Sequence, residues 1–189
     1  EGIAPSRIVC VGNVMIDSLR RALPTIESNQ PKWMSEIVAR RLPVIVATLH
    51  RPGNVDDGRS LAGIVRGLEE AGRRAAVLFP VHPRTAKRLQ EEGLQLGHAE
   101  PKTAPTAVGL YAMPPLGYLE FLGLLRVATL VLTDSGGVQE ETTALGVPCA
   151  TLRPNTERPV TVSVGTNELV PCTPDGIAAA VEKALEGRW

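Results

Sequence analysis

The sequence predicts an α/β domain with a doubly wound parallel sheet. Three observations carry that expectation. Short apolar runs alternate with segments of helical periodicity along nearly the whole chain. The runs read as continuously apolar rather than alternating, as strands buried on both faces do. Polar, glycine- and proline-rich segments follow the runs, where a parallel sheet presents its carboxyl ends. No internal repeat, low-complexity tract or domain boundary is visible.

In order, the strands are expected at Ile8–Val11, Val44–Thr48, Ala75–Phe79, Ala107–Tyr111, Thr129–Thr133, Cys149–Leu152 and, on a weaker pattern, Glu168–Val170. β-branched and apolar residues dominate these runs. Helices are expected near Val14–Leu23, Lys32–Arg40, Leu61–Ala71, Pro83–Glu92, Tyr118–Val127, Val138–Leu145, Pro159–Val164 and Pro174–Glu186, several opening on a proline suited to a first helical turn. Pro24–Pro31 reads as a surface loop. Asp56-Asp57 reads as a helix cap rather than a magnesium site.

Composition narrows the function. The chain has 189 residues, and its 20 basic and 20 acidic residues cancel. A nucleic-acid binder working through bulk charge carries a basic excess, and the aromatic content of 3% leaves little for base stacking. No apolar run reaches the length of a membrane span. The start, Glu1-Gly2-Ile3-Ala4-Pro5, has neither an initiator Met nor a signal-peptide pattern, so an excised piece of a longer protein is expected. Cys10, Cys149 and Cys172 form no CxxC pair; Cys10 and Cys149 fall in expected strands, and the three read as buried free thiols of a cytoplasmic protein. GxGxxG after the first strand, a Walker sequence, HExxH and GxSxG are all missing. A nicotinamide cofactor, ATPase, metal centre or serine hydrolase is therefore disfavoured, and no cofactor or metal is expected.

The strongest local signal is Asp134-Ser135-Gly136-Gly137-Val138-Gln139-Glu140-Glu141 after a β-branched run. A strand ending in a Gly-Gly turn and a new helix offers unpartnered N–H groups and a favourable dipole to an anion. Ser135 can cap that helix or donate its hydroxyl to a phosphate. Glu141 falls one turn beyond Gly137, about 6 Å on, where a carboxylate suits the vicinal diol of a ribose. Glu140 reads as a solvated neighbour. Phosphate at the turn and a sugar at the glutamate suggest a nucleotide.

Other loops lead to the same rim: Gly12-Asn13, His50-Arg51-Pro52-Gly53-Asn54, His82-Pro83-Arg84 and Arg153–Pro159. His50 is either a structural hydrogen-bonder or a group that serves phosphate or moves a proton. Arg158 precedes a helix-opening proline and is either a diphosphate clamp or a partner of Glu157. His82 either braces its loop or functions.

Together, Thr48–Asp56, Pro80–Arg84, Pro115–Phe121, Leu132–Glu141 and Thr156–Val160 stand in the order of the non-hydrolysing UDP-N-acetylglucosamine 2-epimerases, and Val11–Asp17 resembles the opening of that family's second domain. The chain resembles the C-terminal half, residues 1–189, of that two-domain, glycosyltransferase type B architecture. It departs at Pro52-Gly53, where many members have Arg-Glu. The resemblance implies interconversion of UDP-N-acetylglucosamine and UDP-N-acetylmannosamine without metal or redox cofactor. It implies that Ser135, Gly136 and Gly137 hold the diphosphate, Glu141 the ribose, Arg158 the phosphates and Phe121 the uracil end, mainly through its backbone. His50 would face the reacting sugar, and Arg51 and His82 would match an activating second substrate site. The implied partners are a UDP-sugar, the family's N-terminal domain and a second copy in a homodimer, with no nucleic acid or membrane. A glycosyltransferase of the same fold, a hydrolysing 2-epimerase and a non-catalytic nucleotide sensor are the competing readings.

Overall fold

A computed structural model describes residues 2–97 and 103–189. Six parallel strands form one sheet: β1 (Val44–Thr48), β2 (Ala76–Pro80), β3 (Gly109–Met113), β4 (Leu130–Thr133), β5 (Cys149–Leu152) and β6 (Asn167–Val170). Their order is β3-β2-β1-β4-β5-β6, so the chain winds outward from β1 in one direction and then from β4 in the other. The expected doubly wound sheet is therefore observed. The reversal between β1 and β4 opens a crevice beyond their carboxyl ends. There Thr48 and Thr133, paired in register, share a 2.8 Å hydroxyl hydrogen bond.

Successive side chains along a strand face opposite ways, and this chain builds a core on each face. Ile45 and Ala47 of β1 point toward α4 (Gly58–Ala71) and α9 (Pro174–Leu185), with Leu61, Ile64, Leu68, Ile177 and Val181 fully buried there. Val44 and Val46 point toward α1 (Val14–Ser28), α2 (Lys32–Arg40) and α6 (Tyr118–Arg126), meeting Leu19, Met34, Leu122 and Leu125. α4 and α9 touch almost backbone to backbone. A Cβ on Gly67 would lie 2.7 Å from Ile177 Cδ1, so only glycine fits without a shift. The other α-helices among the described residues are α3 (Pro52–Val55), α5 (Pro83–Glu91), α7 (Gly136–Leu145) and α8 (Pro159–Ser163).

Three expectations need correction. Ile8–Val11 forms no strand: Ile8, Val9 and Val11 are all exposed, and the run pairs with no strand of the sheet. A β-branched run becomes a strand only where a neighbour takes up its N–H and C=O groups. Cys10 is consequently exposed rather than buried, whereas Cys149 is fully buried and Cys172 partly so. Pro24–Pro31 is not all loop, because α1 runs through Pro24 to Ser28. Burial of Ile26 against the second core outweighs the hydrogen bond that the proline forfeits. The short α3, in the Pro-Gly-Asn segment after His50, was not anticipated. Asp57 caps α4 as expected, accepting from Ser60 N at 3.1 Å, while Asp56 pairs with Arg84.

Candidate functional site

The crevice is built around Asp134, which ends β4 and is completely buried. Its carboxylate accepts from His50 N, Arg51 N (2.9 Å), Asn54 Nδ2 (3.2 Å) and, at 3.0 Å, His50 Nδ1. One buried group thereby holds the whole loop that follows β1. Thr85 of α5 adds a hydrogen bond to the Leu49 carbonyl. Burial pushes the Asp134 carboxyl up, but the His50 ring, the Arg51 N–H and the His50 charge outweigh it and bring it below the ordinary range. The His50 ring stands 5.7 Å from that of His82. His82 does brace its own loop, accepting from Arg84 N at 3.2 Å as the cap of α5, and it also faces His50.

α7 starts directly after Asp134. Ser135 occupies its capping position, but its hydroxyl makes no cap hydrogen bond. The N–H groups of Gly136, Gly137 and Val138 have no partner among the described residues. The helix closes on Gly146 in the left-handed region (φ 69°). Arg51 and Glu157 flank its start, since a Cβ on Gly136 would sit 3.9 Å from Arg51 Nη2 and 3.5 Å from Glu157 Oε1.

Arg158 does not pair with Glu157. Glu157 is shared by Arg51 (3.0 Å) and Arg153 (2.7 Å), while Arg158 Nε lies 3.2 Å from Glu140 Oε1. Glu140 is therefore not a solvated neighbour: its side chain is 13% exposed and also accepts from Asn13 Nδ2 at 2.9 Å. Asn13 reaches the rim although no strand precedes it. The loop carrying Arg158 is fastened to α7 through a buried network. Thr156 Oγ1 donates to Gln139 Oε1 at 2.6 Å and accepts from Arg158 N, and Asn167 Nδ2 donates to the same Gln139 oxygen at 3.2 Å.

Glu141 is buried in the first turns of α7. Burial pushes its carboxyl up to about 7; the Tyr118 hydroxyl, which donates to it, works the other way, and neighbouring Glu140 adds to the rise. Tyr118 opens α6 and is itself half-exposed. Phe121, one turn further, packs its ring against the second core and commits its N–H to Gly117 O at 2.8 Å.

The structure thus gathers His50, Arg51, His82, Ser135, Gly136, Gly137, Glu141 and Arg158 at the rim of the sheet. Sequence reasoning placed Asn13, Arg153 and Thr156 in loops at this rim without giving them a role, and gave none to Asp134, Tyr118 or Gln139. Only Asp134 carried a usable signal, an acidic residue ending a buried strand, and linking it to His50 required the order of the sheet. A cavity of about 590 Å³ between Val81, Pro83, Leu89, Leu96 and Met113 has no charged side chain in its wall among the described residues and does not suit an anion.

A doubly wound α/β domain with an open helix start, convergent arginines and a recessed carboxylate at its switch point belongs to the nucleotide-binding class. The sequence profile of the family described as UDP-N-acetylglucosamine 2-epimerase matches residues 1–188, and the chain belongs to that family. A UDP-N-acetylglucosamine 2-epimerase of Methanococcus maripaludis is 40% identical over 98% of this chain and 50% of its own length. A crystal structure of the Methanocaldococcus jannaschii UDP-GlcNAc 2-epimerase in complex with UDP-GlcNAc and UDP superposes with a TM-score of 0.82 at 41% identity, covering 97% of this chain and 49% of that one. A UDP-2,3-diacetamido-2,3-dideoxy-D-glucuronate 2-epimerase of Pseudomonas aeruginosa is 37% identical over 95% of this chain and 46% of its own. The chain spans about half the length of the relatives it matches.

Proposed function

We propose that this chain is the UDP-sugar-binding, C-terminal half of an enzyme that interconverts UDP-N-acetylglucosamine and UDP-N-acetylmannosamine. The carrying observation is the start of α7, where a serine hydroxyl and successive backbone N–H groups are unspent one turn before Glu141. In this reading Ser135, Gly136 and Gly137 hold the diphosphate and Arg158 leaves Glu140 to grip it. Glu141 takes the ribose diol and Phe121 borders the uracil. Arg51 and His82 belong to a second, activating substrate site. His50 meets the reacting end of the diphosphate.

The reaction removes the C2 proton and breaks the C1–O bond to UDP, leaving a C1–C2 double bond in 2-acetamidoglucal; UDP then adds back to C1 while a proton is delivered to the opposite face of C2, which inverts it. Charge grows on the departing diphosphate, so donors fixed around it stabilise the transition state more than the ground state. The base for the C2 proton lies, by family resemblance, in the N-terminal domain. The exposed apolar run Ile8–Val11 and Asn13, which touches Glu140, offer that domain a route to the crevice. A homodimer and a cytoplasmic setting complete the reading; the three unpaired cysteines support the latter. Among the described residues no helix is long and apolar enough to cross a membrane.

Calorimetric titration of the chain is expected to show UDP binding more tightly than UMP, with no exchange of C2 deuterium. Equal affinities would remove the diphosphate cradle, and deuterium exchange would overturn the assignment of the base to another domain. The full-length enzyme, given UDP-N-acetylglucosamine and no acceptor, should yield the mannosamine isomer. The 37% identity to the diacetamido-glucuronate epimerase supports a second reading, the same inversion on a more elaborate sugar, and assaying both UDP-sugars separates the two.

A further inference from the structure

We infer that Asp134 is a positioning residue that fixes one tautomer of His50, holding the proton on Nδ1 and presenting a bare Nε2 to the crevice. The inference rests on the reading of His50 as the residue at the reacting end of the diphosphate, and it adds a residue to which sequence reasoning gave no role.

Asp134 Oδ1 lies 3.0 Å from His50 Nδ1. The carboxylate is 0% exposed and is met by the N–H groups of His50 and Arg51 and by Asn54 Nδ2. A group surrounded by donors has acceptor capacity and no hydrogen of its own to give, so the proton between Asp134 and the ring belongs to Nδ1. His50 Nε2 has no hydrogen-bond partner among the described residues, and the side chain is 37% exposed. Neutral His50 therefore offers Nε2 as an acceptor, and protonated His50 offers it as a charged donor whose partner charge is already buried behind it. His82 faces the ring from α5 at 5.7 Å, and Arg51 departs from the same loop toward Glu157.

The two carboxylate oxygens are not equivalent, which makes the idea testable by one atom. His50 N lies 3.1 Å from both oxygens, but Oδ2 alone receives Arg51 N at 2.9 Å and Asn54 Nδ2 at 3.2 Å, so Oδ2 must stay an acceptor. In Asp134→Asn, because the His50 N–H can stay on Oδ2, the amide nitrogen costs fewer hydrogen bonds at the Oδ1 position, facing His50 Nδ1. It can only donate there, so the ring must accept at Nδ1 and carry its proton on Nε2. The substitution should invert the tautomer with little change of shape.

Ring-nitrogen chemical shifts of His50 decide this, recorded on the chain at a pH where the imidazole is neutral and assigned with His50→Gln. The expected wild-type spectrum has a pyrrole-like Nδ1 and a pyridine-like Nε2, exchanging identities in Asp134→Asn. A wild-type ring protonated on Nε2 overturns the inference, as does an unchanged tautomer in a folded Asp134→Asn. If that variant does not fold, the wild-type spectrum alone decides. Adding UDP should move the Nε2 resonance and spare Nδ1. UDP binding that moves only Nδ1 overturns the inference too. An Nδ1-protonated ring with no UDP binding at all leaves the dyad standing and removes the nucleotide reading.

Discussion

α4 and α7 both begin near the carboxyl edge of the sheet, and each has a capping residue in the right place, yet they begin differently. At α4 the cap is spent: Asp57 accepts from Arg59 N at 3.4 Å, Ser60 N at 3.1 Å and Ser60 Oγ at 2.7 Å. At α7 the cap is unspent, because Ser135 makes no side-chain bond to the helix. A helix whose first N–H groups are satisfied internally has little left for a ligand. The same motif is therefore closed in one helix and open in the other, and what separates them is whether the side chain turns back onto the helix, as the neutral Thr173 also does at α9. A carboxylate that turns back closes the helix start and would also repel phosphate, while the Ser135 hydroxyl, which does not turn back, leaves the N–H groups open.

The largest expected effect comes from erasing the contrast. Ser135→Asp should give α7 the cap that α4 has, raising the melting temperature while lowering UDP affinity by about a hundredfold or more, the cost of losing charged hydrogen bonds to the diphosphate. Calorimetry and thermal melts check both signs, and an unchanged affinity would mean that the diphosphate does not sit there.

Glu141→Gln comes next and tests the carboxylate behind the open start. UDP affinity should fall about tenfold, about 1.4 kcal/mol. In the wild type, affinity should rise with pH through about 7, as the carboxyl ionises and becomes acceptor-only, and the variant should lose that dependence. The free chain should show the opposite trend in stability. Its carboxyl titrates near 7 folded and near 4.5 unfolded, so between those values the folded state keeps a proton the unfolded chain has released. Stability then falls as pH rises through that window and is lowest above about 7, which Glu141→Gln should relieve on melting at alkaline pH. A residue that costs the empty protein stability and strengthens its ligand is a mark of a site.

The smallest effect sharpens the comparison from the other side. Asp57→Ala should lower the melting temperature slightly and leave UDP affinity as it was; a loss of affinity would mean that α4 also serves the ligand.

Much of this was legible from residue order. Val44–Thr48 and Cys149–Leu152 form strands within the expected bounds, since runs buried on both faces carry their signal locally. Ile8–Val11 carries the same kind of run and is exposed, because its fate depends on a neighbour. The site divides in the same way. Ser135, Gly136, Gly137 and Glu141 lie within one turn and a half of helix, so their relation followed from spacing. Arg158 and Glu140, or His50 and Asp134, are far apart in sequence and meet only through the order of the strands.

By itself, then, the sequence determined the alternation of strands and helices and the chemistry each loop could bring, because periodicity and turn residues act over a few positions. The tertiary structure alone decided who faces whom: that Glu140 is tied to Arg158 rather than to water, that Glu157 serves Arg51 and Arg153, and that Asp134 stands behind His50. Those pairings arise where the sheet reverses between β1 and β4, and partners brought together by non-local strand pairing leave no trace in local spacing.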